Sequence, residues 1–188
     1  MDLVKFLVLE EYMGYFGGAS LQCVKFEQAG SGVHIRNNGQ QAKVTAAHKG
    51  FRTTITGSSL ASVCYFKCKI CHVNHWMFVG VGADLALDAD NCSDTTVYGW
   101  AKAGQQCTRG MFSDAPVKWA NGDWVLVKAD FPARKLSMVS THVSTPLTMS
   151  LRVPASLQAQ YVFQVILYNC NDQVELLPVT AEDQQLLP

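Results

Sequence analysis

VCYFKCKICHVNHWMFVGVG, residues 63 to 82, is the stretch on which the reading of this chain turns. Cys64, Phe66, Cys68 and Ile70 alternate with Tyr65, Lys67 and Lys69. A period of two is the pattern of a strand with one dry face and one wet face. After a polar break at Asn74, WMFVGVG begins a second strand. Working outward, VYGW at 97–100 and NGDWVLVKADFPARKLSMVS at 121–140 read as further short strands joined by turns. DWVLVKAD is apolar on both faces, as expected of a strand inside a sheet, whereas KLSMVS sets Leu136 and Met138 against Lys135 and Ser137.

Turn residues punctuate the chain at Gly30 to Gly32, Asn37-Asn38-Gly39, Gly50, Gly57, Asn74, Asn121-Gly122 and Asn171-Asp172. GVHIR, AKVTA, FRTTI, LTMSLRV, YVFQVILY and QVELLPV lie between them. Many short strands at such intervals predict an all-β fold, a two-sheet antiparallel β-sandwich. LVKFLVLEEYM, residues 3–13, predicts a short N-terminal helix with Leu3, Phe6 and Leu7 on one face, ended by Gly17-Gly18. The expected organisation is a helical appendage over 1–24, a sandwich domain over 25–180 and a tail over 181–188.

The 188 residues suffice for one core that buries about 70% of the extended chain's surface. At 48% apolar and 16% charged residues the composition is globular. A formal net charge of zero argues against a general nucleic-acid binder. That total is unevenly spread. Arg36, Lys43, Lys49, Arg52, Lys67 and Lys69 fall where no acid occurs, and Asp84, Asp88, Asp90 and Asp94 follow with no base before Lys102. Seven cysteines with no positively charged leader point to a reduced, cytoplasmic compartment. No run approaches the ~20 apolar residues of a membrane span, so no membrane partner is expected.

Cys64, Cys68, Cys71, His72 and His75 invite a zinc reading. In a strand Cys64 and Cys68 stand about 13 Å apart, too far to share an ion bound at ~2.3 Å from each sulfur, and Cys71 points away from Cys68. The cysteines read instead as small buried apolar groups, and no metal or other cofactor is expected. Cys71 beside His72 or His75 lacks any local signature of a nucleophile, so no catalytic residue is assigned. Gly80-Val81-Gly82 misses the third glycine of a dinucleotide loop, because Leu85 stands there. Asp88-Ala89-Asp90-Asn91 opens like a calcium loop, but Cys92, Ser93 and Gly99 occupy positions that need a ligand, a glycine and a glutamate. Tyr98, Trp100, Trp119 and Tyr168, at strand ends, are either core closures or anchors for a partner.

With these segments in order, the chain resembles the SPRY domain, a module also found in tripartite-motif ubiquitin ligases and SOCS-box adaptors. The likeness runs through YFKCKI at 65–70, the Val79-Gly80-Val81 turn, Tyr98-Gly99-Trp100, and Gly122-Asp123-Trp124-Val125-Leu126-Val127. It continues through Asp130, Leu136-Ser137-Met138, and YVFQVILYNCNDQVELLPV at 161–179, so that it covers residues 25 to 180. The resemblance implies a bent, concanavalin-like sandwich that binds a protein or peptide through loops at one end, as an adaptor and without catalysis. By position it implies Arg52, Asp88, Asp90, Tyr98, Trp100, Tyr168 and Asn169 as ligand-binding residues. Residues 1–20 are a further expected attachment point for a partner or a second copy. The alternative is a calcium-assisted, lectin-like carbohydrate domain using Asp88, Asp90, Asn91 and Asp94, with Trp100 under the sugar. With no RING, B-box or SOCS-box segment in the sequence, ligase activity is not expected.

Overall fold

The computed structural model describes residues 25–46, 51–56, 63–83, 94–153 and 161–187; for 27, 28 and 51–56 it describes the backbone alone. The expected helix at 3–13 lies outside the described residues. In chain order the strands are β1 (Lys25–Ala29), β2 (Val33–Arg36), β3 (Gln41–Val44), β4 (Phe51–Thr56), β5 (Val63–His72), β6 (Met77–Ala83) and β7 (Tyr98–Ala101). They continue with β8 (Gln105–Thr108), β9 (Met111–Asp114), β10 (Trp124–Asp130), β11 (Lys135–Ser140), β12 (Val143–Ser150), β13 (Tyr161–Leu167) and β14 (Gln173–Leu177). A helix, α1 (Ala181–Leu186), follows.

Two seven-stranded sheets form, and the pairings within them are antiparallel. Sheet A runs β1-β4-β13-β6-β7-β8-β9, and sheet B runs β12-β11-β10-β5-β14-β3-β2. The parity read from β5 is the parity observed: Cys64, Phe66, Cys68 and Ile70 are buried, while Tyr65, Lys67 and Lys69 are not. These four meet the inward side chains of sheet A, among them Val79, Val81, Tyr98, Trp100, Phe163 and Val165, in the main core. Phe66 and Phe163 touch across it at 5.1 Å between ring centroids. Apolar side chains converging from both sheets supply most of the driving force, and the alternation fixes which face of each strand takes part.

Sheet B also has a covered outer face. In β10, Val125, Val127 and Ala129 point into the core, while Leu126 points outward and packs with Val139 and Leu187 beside Tyr65, Trp124 and Val179. The cover is the chain after β14. Six residues are too few for a helix to persist unaided, so α1 depends on its cap and its docking. Thr180 Oγ1 accepts from the Asp183 amide at 3.2 Å, and Asp183 Oδ2 accepts from the Thr180 amide at 2.9 Å, a closed capping box. Asp183 Oδ1 also accepts from Lys67 Nζ at 2.7 Å, and that ammonium lies 5.0 Å from the centroid of the Trp124 ring. Burying Leu187 contributes about 2 kcal/mol more. This strap also explains why Val139, on the face of β11 opposite Leu136 and Met138, is buried.

Burial alone would raise the Asp183 carboxyl, but hydrogen bonds from Lys67 and Thr180 and the Lys67 charge outweigh it and hold the group below its ordinary 3.8. A value depressed by folding means that this contact's stabilisation is complete above the ordinary carboxylate value and is lost as the pH falls below it. Asp183→Asn is expected to lower stability by about 1–2 kcal/mol at neutral pH and to flatten the acid limb of the stability profile. Urea unfolding of the two proteins at stepped acidic pH measures both effects; parallel acid limbs would contradict the assignment.

Candidate functional site

Among the described residues, the outer face of sheet A is covered by side chains of its own strands and loops. On β6, Met77, Val79 and Val81 point into the core, so Phe78, Gly80 and Gly82 face outward. Gly80 and Gly99 stand opposite each other on β6 and β7. The Phe78 ring lies over both, its Cζ only 2.8 Å and 2.6 Å from where their Cβ atoms would be. Two side-chain-free residues are what let an aromatic ring lie flat on the sheet. Phe78 forms a second cluster with Val97, Ala101, Cys107 and Ile166. Trp76 rests on this cluster, stacked on Phe78 at 6.3 Å and 15°, and takes the rings of Phe112 and Tyr168 edge-on, each at 6.4 Å. Phe112 and Tyr168 are each 39% exposed. The outcome is a rim of aromatic side chains with a dry back and an open front.

A buried carboxylate holds the loops of this rim. Asp172, fully buried between β13 and β14, accepts through Oδ1 from the Asn74 amide at 2.9 Å. Through Oδ2 it accepts from the amides of Asn169 at 2.8 Å and Tyr168 at 3.2 Å. Asn74 Nδ2 donates to the Cys170 carbonyl at 3.2 Å, and Lys102 Nζ donates to that of Val73 at 3.0 Å. The β5–β6 and β13–β14 loops therefore form one hydrogen-bonded unit that carries Trp76 and Tyr168. Asn171 adopts φ 73°, the left-handed conformation that asparagine tolerates, which closes the turn.

The residues expected to bind separate into three groups. Tyr168 and Asn169 lie together on this rim, and Arg52 is in register with Ile166, two residues from Tyr168. Asp88 and Asp90 lie outside the described residues, but the flanks of their loop, Ala83 and Asp94, are at the far end of β6, about 20 Å from Met77 along a seven-residue strand. Against the expectation of loops at one end, Tyr168 and the described flanks of the acidic segment, Ala83 and Asp94, lie at opposite ends of β6. Tyr98 and Trp100 correct it further, since both are fully buried in the main core. Their even spacing on β7 turns both inward while Gly99 faces out. The Tyr98 hydroxyl donates to the Arg152 carbonyl and accepts from the Arg152 amide, both at 3.2 Å, and so anchors the chain leaving β12. Asp94 is engaged locally, its Oδ1 accepting from the Thr96 amide and hydroxyl at 2.7 Å each.

Sequence reasoning passed over Trp76 and Phe112. Trp76-Met77-Phe78-Val79-Gly80 already contains the signal, because parity puts Trp76 and Phe78 on the face opposite Met77 and Val79. Phe112 had no such signal: QQCT and MFSD lack the β-branched alternation of strands, and pairing through the Arg109-Gly110 turn makes them β8 and β9.

Three thiols among the described residues have raised pKa values. Burial, then the Glu175 charge, pushes the Cys71 thiol up, and Glu175 Oε2 is 3.9 Å from its sulfur. His72 Nδ1 is 3.4 Å from Asn121 Nδ2. Burial pushes Cys68 well up and Cys107 to about 11. A raised pKa keeps a thiol protonated at neutral pH and so disfavours attack. Among the described residues no group of three or more His, Cys, Asp or Glu side chains is placed to hold a metal ion. No helix among them is long and apolar enough to cross a membrane.

No protein-family model matches the sequence, and no curated protein matches it. Solved structures do match. The PSpry domain of TRIM65 aligns with a TM-score of 0.64 at 13% identity, covering 82% of this chain and 91% of that one. The SPRY domain of human HERC1 aligns at 0.65 and 17% identity, covering 84% and 98%. Stonustoxin aligns at 0.59 and 15% identity, covering 85% of this chain and 30% of its own. The chain is a SPRY-like β-sandwich. At these identities the likeness defines the architecture, and function rests on the site.

Proposed function

We propose that this chain is a non-catalytic protein-interaction module that holds a short peptide or partner loop against the rim carrying Tyr168. The observation that supports it is the meeting of Trp76, Phe112 and Tyr168, half open to solvent and braced from behind by Phe78 and Asp172. Aromatic side chains held rigidly give large contact area at small entropic cost, which is the character of an interface hot spot. Asn169, on the same loop, and Arg52 are the proposed polar contacts. Tyr98 and Trp100 support the surface from within. The thiol side chains of Cys64, Cys68, Cys71, Cys107 and Cys170 suit an adaptor working in a reduced, cytoplasmic compartment.

Selection of a displayed random peptide library on the immobilised full chain tests the reading. Binders are expected, and Tyr168→Ala is expected to weaken them by about 30-fold, the equivalent of a 2 kcal/mol hot spot. Asp88→Ala with Asp90→Ala, in the loop that leaves the opposite end, is expected to weaken them less. Failure to enrich any sequence, or binding indifferent to Tyr168→Ala, rejects the proposal.

A further inference from the structure

β9 is the outermost strand of sheet A among the described residues, and its four residues are all exposed. Open strand edges template pairing with other chains, and proteins blunt them with lysine, proline, charge or bulges. The other outermost strands have such devices. β1 begins with the exposed Lys25 and has a register shift against β4; β2 exposes His34 and Arg36; β12 contains Pro146. By contrast β9 pairs with β8 without a shift and has no lysine, arginine or proline; its one charge, Asp114, shares the strand with Met111, 71% exposed, and Phe112.

The direction of its backbone follows from its turn. Arg109 and Gly110, at φ 54° and 73°, form a two-residue hairpin turn between Thr108 and Met111. Antiparallel bonding alternates along a strand. Met111 and Ser113 therefore bond toward β8, and Ala115 extends the series by donating to the Gly104 carbonyl at 2.8 Å. The N–H and C=O groups of Phe112 and Asp114 face the open edge.

We infer that β9 pairs antiparallel with β9 of a second copy of this chain about a two-fold axis through Ser113. In that register Phe112 of each copy stands opposite the partner's Asp114, and the four outward groups of each strand are all satisfied. No other symmetric register does this, because centring on Phe112 or Asp114 leaves outward groups facing residues outside β9. The two Phe112 rings become diagonal neighbours about 7–8 Å apart, within reach of aromatic side chains. A net charge of zero leaves no overall repulsion against such association. The contact is isologous, so it closes at two copies and does not propagate. Phe112 belongs to both readings, but they fail separately: this one is read by oligomeric state, the peptide reading by the effect of Tyr168→Ala on peptide affinity.

Sedimentation velocity of the full chain up to about 1 mM, the weak end of specific association, tests it. A monomer–dimer equilibrium is expected. Phe112→Asp puts like charges directly opposite each other and is expected to leave only monomer. Phe112→Asp combined with Asp114→Lys puts opposite charges at the same two positions and is expected to restore the dimer. Positions 112 and 114 are exposed, and thermal melts check that both variants stay folded. A wild-type chain that remains monomeric, a dimer indifferent to Phe112→Asp, or a double variant that stays monomeric each overturns the inference.

Discussion

Asp172→Ala is expected to lower stability by about 3–5 kcal/mol and to abolish peptide binding at the Tyr168 rim. The substitution strands the amides of Asn74, Tyr168 and Asn169, which now donate to a fully buried carboxylate. A hydrogen bond to a charged group is worth about 1.5–3 kcal/mol, and a buried donor left unsatisfied costs about 1–3 kcal/mol. Not all of that is lost, because water reaches part of the opened loop. Asp172→Asn keeps the shape but turns one oxygen into a donor that faces donors, so it is expected to fall between wild type and Asp172→Ala. Denaturant unfolding gives the stability, and peptide affinity measured on the folded fraction gives the second readout. Full binding by a destabilised Asp172→Ala protein would show that the carboxylate supports the fold without setting the rim.

The second large effect is expected at Gly99. A Cβ there would come within 2.3 Å of the Val79 carbonyl oxygen, and one at Gly80 within 2.1 Å of the Tyr98 carbonyl oxygen. Neither backbone atom can move without breaking the β6–β7 ladder, and the Phe78 ring blocks the remaining direction. Gly99→Ala and Gly80→Ala are each expected to cost about 3 kcal/mol or more, the upper range for overpacking. Gly122 provides the contrast. Nothing lies within 4 Å of its Cβ position, but its φ is 96°, so Gly122→Ala carries only a conformational cost of about 1–2 kcal/mol. Equal losses at Gly99 and Gly122, read by thermal unfolding, would contradict the packing account.

The sandwich was legible because burial imposes parity. The alternation from Cys64 to Ile70 and the two-faced apolar run in DWVLVKAD could satisfy the core in only one way, and turn residues such as Asn121-Gly122 and Asn171-Asp172 set the ends of strands. Strands without that alternation, β8 and β9, were missed, since they owe their structure to neighbours rather than to their own pattern. α1 was missed for a related reason: AEDQQL is too short for helical periodicity, and its signal was the cap pair Thr180 and Asp183. The site was less legible than the fold. Tyr98, Gly99 and Trp100 stood out as aromatic residues near a loop, yet the same parity rule applied to β7 turns both rings into the core. Tyr168 drew attention because it ends a strand, and its neighbour Trp76 was hidden inside a segment that read simply as strand.

The two sheets are waterproofed by different means, and the difference has an evolutionary corollary. Sheet B is shuttered by the chain after β14, and only the few side chains that grip the shutter, Lys67, Leu126 and Val139 among them, are tied to it. Phe78, Trp76 and their neighbours seal sheet A and, on the proposed function, also form the surface that meets a partner. Any substitution there that retunes partner choice also alters how well the layer beneath is sealed. If that proposal holds, changes of specificity on this side draw directly on folding stability, and they come most readily at residues such as Tyr168 and Asn169 that stand proud of the seal.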